Sequence, residues 1–117
     1  KLGVCSNKPH EAAVKVVKRM FGDQVFDMVM GQSDSIRKKP APDGPLKIAE
    51  AFGVLPEECM YLGDSGTDMQ TGKAAGMYTV GVLWGYREKE ELLKNGADAL
   101  VESPEDILDL YEEKCSK

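Results

Sequence analysis

The sequence lacks the cysteine pairs that build cross-links and the long apolar runs that build membrane spans. Its three cysteines, Cys5, Cys59 and Cys115, are widely spaced and include no Cys-x-x-Cys pair. This pattern supports neither a disulfide framework nor a zinc site. No apolar run approaches the roughly 20 residues that a membrane-spanning helix needs. We therefore expect a protein of the reducing cytoplasm that has no membrane partner.

An excess of basic charge is also lacking. The 15 lysines and arginines face 20 acids, which gives a net charge of −5. The bases are spread among the acids, so nucleic acid is not an expected partner. Neither a Walker-type glycine loop nor a Gly-x-Ser-x-Gly elbow occurs. The single histidine, His10, is expected at the surface.

What is present is a regular alternation of short apolar runs with amphipathic segments. This alternation predicts an α/β fold, in which a parallel sheet is joined by right-handed helical crossovers. Residues 1–117 should form a single domain without repeats or linkers, and an apolar run so close to Lys1 suggests a missing upstream piece. The predicted strands are 2–5, 26–30, 59–62, 78–83 and 99–101, and the predicted helices are 9–21, one from a cap at Asp43 or Gly44 to Gly53, 67–75, 88–94 and 104–113.

Two aspartates follow the third apolar run. Asp64 comes directly after Gly63 at the end of the strand, and Asp68 follows four positions later, where a helix should begin. Carboxylates at this spacing share one face of a helix, and the carboxyl end of a parallel strand is where such sheets bind ligands. Hard oxygen ligands suit Mg²⁺. Taken alone, the pair is equally consistent with an Asx turn and an N-capped helix.

Three other places could carry chemistry. Ser6, Asn7 and Lys8 end the first strand just before a helix, where a hydroxyl and free backbone N–H groups can bind an anion or simply cap the helix. Lys39 precedes Pro40, which favours an extended lysine that could reach a phosphoryl group, although a solvated basic loop fits as well. The third place, residues 84–87, could border a pocket or pack on its own domain.

The order of these features resembles the haloacid dehalogenase-like phosphatases, in particular the branch of phosphoglycolate phosphatase and β-phosphoglucomutase. The likeness covers nearly the whole chain. The segments that carry it are Ser6-Asn7-Lys8, Lys39-Pro40-Ala41-Pro42, Leu62-Gly63-Asp64-Ser65 with Asp68, Ala74-Ala75-Gly76-Met77, Gly81 to Tyr86 and Gly96-Ala97-Asp98.

The resemblance implies a role for each matching residue. Ser6 would bond a phosphoryl oxygen, with the backbone near Asn7 assisting. Lys39 would neutralise the nucleophile and the phosphate. Asp64 would bind Mg²⁺ directly, while Asp68 would support the metal through water or by orienting Lys39. The implied enzyme is a Mg²⁺-dependent phosphatase that acts on a small, phosphoglycolate-like metabolite through an aspartyl-phosphate.

One part of the family pattern is missing. The family's nucleophile lies in an Asp-x-Asp motif after its first strand, and this sequence has no such motif. The first strand and the helical cap that follows it in this branch are absent too. The resemblance therefore identifies the carboxyl-terminal part of a Rossmann-like core. Because the missing strand is central in the family, we expect two exposed strand edges and an inactive chain, which the missing segment or a swapped neighbour would have to complete.

Alternatives to the phosphatase remain open. A mutase of the same family would move a phosphoryl group between sugar hydroxyls. A non-catalytic metal- or phosphate-binding module would lack the Asp-x-Asp in its native gene as well. A two-component receiver domain also clusters acids, a hydroxyl and a lysine, but the order of Ser6, Lys39 and the aspartates fits it poorly.

Overall fold

A computed structural model describes residues 1–85 and 88–115. Strands and helices alternate along the chain, and a short 3-10 turn, Pro56–Glu58, precedes the third strand. The strands are β1 (Gly3–Pro9), β2 (Met28–Gln32), β3 (Met60–Gly63), β4 (Tyr78–Val82) and β5 (Ala99–Val101), and the helices are α1 (His10–Phe21), α2 (Asp43–Phe52), α3 (Gly66–Ala75), α4 (Lys89–Lys94) and α5 (Pro104–Cys115).

Helix boundaries follow the local signals in the sequence. Ser65 caps α3 by accepting a hydrogen bond from the Asp68 backbone N–H at 3.2 Å. Gly53 and Gly76 end α2 and α3 in the left-handed conformation, with φ of 71° and 77°. Glycine adopts this conformation without the steric cost that a Cβ would add. The predicted ends of both helices are thus confirmed.

The strands form two separate parallel sheets. In the first, β1 pairs with β2 in a register that sets Gly3 opposite Met28 and Cys5 opposite Met30. In the second, β4 lies between β3 and β5, and every pairing is parallel. The predicted α/β class, with parallel strands and flanking helices, is confirmed.

The gap between the two sheets leaves one edge of β1 and one edge of β3 without a ladder partner among the described strands. Apolar side chains of the strands that have these open edges are also exposed: Leu62 in β3 is 39% accessible and Leu2, just before β1, is 57% accessible. Parallel strands in complete domains are normally paired and covered on both faces. The exposed edges agree with the expectation that a central strand is absent.

Two strand boundaries were predicted wrongly. β1 continues to Pro9, well beyond the predicted end at Cys5, because Pro9 pairs with Gln32 after an irregular stretch. Gly31 was expected to end the second strand but lies inside β2, where its backbone N–H donates to His10 Nδ1 at 3.1 Å. Long-range pairing of this kind leaves no signal in the local sequence.

The core lies mainly around the three-stranded sheet. Val80, Val82 and Val101 are buried together, and Met69 and Leu92 are fully enclosed between this sheet and its helices. Within the part of the chain that the structure describes, no helix has the length and apolar character needed to cross a bilayer.

Candidate active site

Three segments meet where the strands end. They are the end of β1 with Asn7, the loop after β2 with Lys39, and the turn from β3 into α3 with Asp64 and Asp68. Because parallel strands all point the same way, their carboxyl ends share one edge, which is where open α/β sheets bind ligands. The site therefore spans the gap between the two sheets.

An ion pair between Lys39 and Asp68 is at the centre of this edge. Lys39 Nζ donates to Asp68 Oδ1 at 2.9 Å, and the two side chains are only 17% and 13% exposed. Charge-assisted hydrogen bonds of this kind are stronger than neutral ones. The pair fixes the ammonium group of Lys39 in place and links the loop after β2 to helix α3.

The second oxygen of Asp68 is engaged as well. Asp68 Oδ2 accepts a hydrogen bond from the backbone N–H of Asp64 at 3.2 Å. Asp68 thus orients Lys39 with one oxygen and the Asp64 turn with the other, while the Asp64 side chain is exposed to solvent. Of the two supporting roles considered for Asp68, this geometry favours the orientation of Lys39, and Asp64 is the carboxylate that faces outward.

The pKa of Asp68 reflects these contacts. Burial alone would raise the pKa of this carboxyl, but the hydrogen bond and charge of Lys39, the Asp64 amide and Ser65 together lower it below its ordinary value. Asp68 is therefore ionised throughout the neutral range, as its role in orienting an ammonium group requires.

This lowered pKa predicts an acid-sensitive contribution to stability. A carboxyl whose pKa is lower in the folded state stabilises the fold above its unfolded pKa of about 3.9 and loses this effect as the pH falls through the folded value. We expect Asp68→Asn to flatten the dependence of unfolding free energy on pH below about pH 4. Urea unfolding from pH 2 to 7 measures this slope, and an unchanged acid slope in the variant would contradict the expectation.

Two glycines make room for the two carboxylates. A Cβ on Gly63 would collide with the Asp68 side chain, approaching its Cγ to 2.7 Å. A Cβ on Gly85, in the loop after β4, would lie 2.6 Å from both the Cβ and the Oδ2 of Asp64. The second contact supports the prediction that the segment after β4 borders the site. Of that segment, Trp84 is half-exposed, while Tyr86 and Arg87 lie outside the described residues.

The contact at Gly63 predicts a clear loss of stability on substitution. Gly63→Ala must displace a carboxylate that is held by Lys39 and by the Asp64 amide, so we expect a cost of about 1–3 kcal/mol, as for other overpacked sites. Gly85→Ala is the comparison variant. Its Cβ would approach the Cβ of Asp64 to 2.6 Å, but the Asp64 carboxylate is exposed and Gly85 lies in a loop that can shift, so we expect a smaller cost. Equilibrium urea unfolding compares the two, and equal costs would contradict this explanation.

Ser6 and Asn7 lie inside the irregular second half of β1, which was predicted to end at Cys5, and they precede α1 as expected. Ser6 Oγ accepts a hydrogen bond from the Lys8 backbone N–H at 3.1 Å, so the hydroxyl is held by its own turn. Asn7 Oδ1 accepts from the Lys39 backbone N–H at 2.8 Å. Asn7 therefore joins the cluster through a contact that sequence reasoning did not include, and the binding of phosphate by Ser6 stays a prediction.

Two further groups near the site were missed by sequence reasoning. Glu91, from α4, accepts a hydrogen bond from the Gly66 backbone N–H at 2.7 Å and so anchors the first residue of α3. Tyr61, in β3, has its pKa raised by burial first and then by the nearby charge of Asp68. The phenol therefore stays neutral at neutral pH. Neither residue stands in a motif, so the sequence held no signal for either.

The residues present suit a divalent cation only in part. The Asp64 carboxylate is an outward-facing hard oxygen ligand, the kind that Mg²⁺ prefers. However, no cluster of three or more His, Cys, Asp or Glu side chains in residues 1–85 and 88–115 could hold a metal ion. Mg²⁺ is typically held by one or two carboxylates, and waters or phosphate oxygens fill its other positions.

Comparison with known proteins agrees with this geometry. The sequence profile of the haloacid dehalogenase-like hydrolases matches residues 1–76. Phosphoglycolate phosphatase of Escherichia coli (strain K12) is 35% identical over 107 residues, which cover 92% of this chain and 42% of that protein. A Lactobacillus delbrueckii structure assigned as a phosphoglycolate phosphatase has a TM-score of 0.86 and 39% identity, covering 92% of this chain and 44% of the other. A Thermotoga maritima structure assigned as a β-phosphoglucomutase has a TM-score of 0.82 and 30% identity, covering 97% and 52%.

The chain belongs to the haloacid dehalogenase-like hydrolases, and the resemblance noted in the sequence is confirmed. Its curated relatives include phosphoglycolate phosphatases. The chain spans less than half the length of these curated relatives, so what the complete proteins do is carried over to it only as a proposal.

Proposed function

We propose that this chain is the carboxyl-terminal part of the core of a Mg²⁺-dependent phosphatase that hydrolyses a small phosphorylated metabolite similar to phosphoglycolate. The observation that carries the proposal is the hydrogen-bonded series in which Lys39 contacts Asp68 and Asp68 contacts the Asp64 backbone. It brings an ammonium group and an outward-facing carboxylate to the ligand-binding edge of a parallel fold.

Each residue has one part in the proposed reaction. Lys39 compensates the negative charge of the phosphoryl group, Ser6 donates a hydrogen bond to one of its oxygens, and Asp68 keeps Lys39 oriented. Asp64 would hold Mg²⁺, which supplies additional positive charge to the phosphoryl oxygens when it is bound. Phosphoryl transfer depends mostly on such positioning and charge compensation.

The nucleophile must come from residues that this chain lacks. An aspartate oxygen would form the new bond to phosphorus while the phosphorus–oxygen bond of the ester breaks, and a second acid would protonate the departing alcohol. Water would then release phosphate from the aspartyl-phosphate. We propose that these two acids stand at the end of a strand that fills the gap between β1 and β3.

A mutase is the second candidate, because a structure assigned as a β-phosphoglucomutase shares this fold at 30% identity. The two activities differ in the acceptor of the phosphoryl group, which is water in one and a sugar hydroxyl in the other. The native full-length protein, assayed with 2-phosphoglycolate and with β-glucose 1-phosphate, separates them. Release of inorganic phosphate from the first, without isomerisation of the second, is the expected result.

A non-catalytic module makes a different prediction for the same protein. In that case the full-length protein would turn over neither compound, and Asp64→Asn would change nothing in the assay. We expect hydrolysis of p-nitrophenyl phosphate that requires Mg²⁺ and is lost in Asp64→Asn, because the outward-facing carboxylate is the proposed metal ligand. Absence of any such turnover in the full-length protein would refute the enzyme assignment.

A further inference from the structure

The side chain of Asn7 bridges two parts of the chain that are 32 residues apart. Its Oδ1 accepts a hydrogen bond from the backbone N–H of Lys39 at 2.8 Å. A backbone N–H can only donate, so the amide oxygen of Asn7 must face Lys39 and cannot at the same time meet the oxygens of a phosphoryl group, which are acceptors too.

The irregular end of β1 explains how Asn7 reaches this loop. Cys5 pairs with Met30 and Pro9 with Gln32, so three residues of β1 stand opposite the single residue Gly31 of β2. Extra residues of this kind bend a strand and redirect its side chains. Close packing fixes the distortion, because a Cβ on Gly31 would lie 2.7 Å from the carbonyl oxygen of Lys8.

We infer that Asn7 is a positioning residue that holds the backbone of Lys39, so that the lysine side chain can pair with Asp68 across the gap between the sheets. The contacts form one series: Asn7 holds the Lys39 backbone, Lys39 Nζ binds Asp68, and Asp68 holds the Asp64 backbone. The relevance of this series to catalysis rests on the proposed function, whereas the contact itself does not.

A pair of variants separates positioning from phosphate binding. Asn7→Ala removes the acceptor, while Asn7→Asp keeps an oxygen in the same place but adds a negative charge that opposes an anion. If Asn7 positions Lys39, aspartate should rescue the contact. If Asn7 served only to bind phosphate, the Lys39 amide would be indifferent to both changes.

Hydrogen exchange of the Lys39 amide, followed by NMR on the full 117-residue chain, is the direct readout. We expect exchange of the Lys39 amide to be roughly tenfold faster in Asn7→Ala, because the free energy of one hydrogen bond corresponds to about this factor. In Asn7→Asp, which keeps the acceptor, exchange should stay within about twofold of the parent. The Thr79 amide, which donates to Asp98 Oδ2 at 2.8 Å, is the internal control and should be unchanged.

Each outcome decides the inference. Faster exchange at Lys39 in Asn7→Ala, with rescue by Asn7→Asp and a constant Thr79, supports it. Unchanged exchange at Lys39 in both variants would overturn it, and so would equal acceleration in both, since the retained acceptor would then have no effect. If exchange of the Thr79 amide is faster as well, the alanine variant has loosened the whole fold. Asn7→Ser, whose hydroxyl is too short to reach the Lys39 amide, is then the second test. It must accelerate exchange at Lys39 and not at Thr79, or the inference fails. None of these results depends on turnover, so a failure of the proposed enzyme function is seen separately.

Discussion

Replacement of Lys39 by methionine is expected to destabilise the chain by about 2 kcal/mol, because it leaves the Asp68 carboxylate in a largely enclosed place without its charged partner. The pair is 2.9 Å long and both side chains are less than one-fifth exposed. Water that reaches the rest of the site moderates the cost, which is why we expect less than for a fully buried pair. Equilibrium unfolding in urea measures the change.

The chain offers a matched control for this prediction. Arg37 and Asp43 form an ion pair of similar length, 2.8 Å, but the arginine side chain is 75% exposed. The contact with Arg37 lowers the pKa of Asp43 to about 2, yet exposed pairs contribute little to stability. Arg37→Met should therefore cost much less than Lys39→Met. Equal losses of stability in the two variants would show that the burial of the Lys39–Asp68 pair does not increase its contribution to stability.

A double variant tests the physical cause. If the penalty of Lys39→Met comes from the unpaired carboxylate, Asp68→Asn should recover part of it, since the neutral amide no longer needs a cation. Lys39→Met with Asp68→Asn should then be more stable than the sum of the single changes predicts. Strict additivity would show that the two side chains do not stabilise one another.

Supply of a separate central strand is expected to convert an inactive chain into a phosphatase. Alone, the chain should give no turnover of p-nitrophenyl phosphate with Mg²⁺, because it holds no Asp-x-Asp nucleophile. A co-expressed segment with an apolar strand that ends in Asp-x-Asp can pair with the open edges of β1 and β3. Main-chain hydrogen bonds on both sides, with burial of Leu62, provide the affinity.

Two readouts distinguish pairing from catalysis. The strand should raise the thermal midpoint of the chain in a concentration-dependent way, because it binds only the folded form. A control segment with asparagine in place of its first aspartate should stabilise equally but restore no turnover. Turnover by the chain alone that is abolished in Asp64→Asn would contradict the expected inactivity. A lack of stabilisation by either segment would contradict the proposal that the gap accepts a strand.

The sequence was sufficient for the fold class and for most element types. The glycines at 53 and 76 and the serine at 65 act through local conformation and capping, so their effects could be predicted from neighbouring residues alone. The distorted end of β1 could not, because it arises from pairing with β2. Local sequence patterns predict helix ends and turns, whereas the pairing register of a strand depends on residues that are distant in the chain.

In the candidate site, too, the sequence predicted some residues but not the long-range contacts that position them. Asp64 and Asp68 were singled out because they follow a predicted strand, and Lys39 because it lies before a proline in a strand-to-helix loop; all three match motifs of the family that the chain resembles. The contact of Asn7 with the Lys39 backbone and the support of Gly66 by Glu91 join residues that are 32 and 25 positions apart. Only a folded chain reveals such contacts, and they are the ones that determine where the lysine and the α3 turn lie.

A crystal structure of the chain with its complementing strand, grown with Mg²⁺ and orthovanadate, tests the proposed active site most directly. Vanadate imitates a transferring phosphoryl group. We expect it in the gap between the sheets, with Lys39 Nζ and Ser6 Oγ on its oxygens and the Asp64 carboxylate on the metal. Vanadate bound away from Lys39 and Ser6, or a metal ion that does not contact Asp64, would contradict the assignment of this edge as a phosphoryl-transfer site.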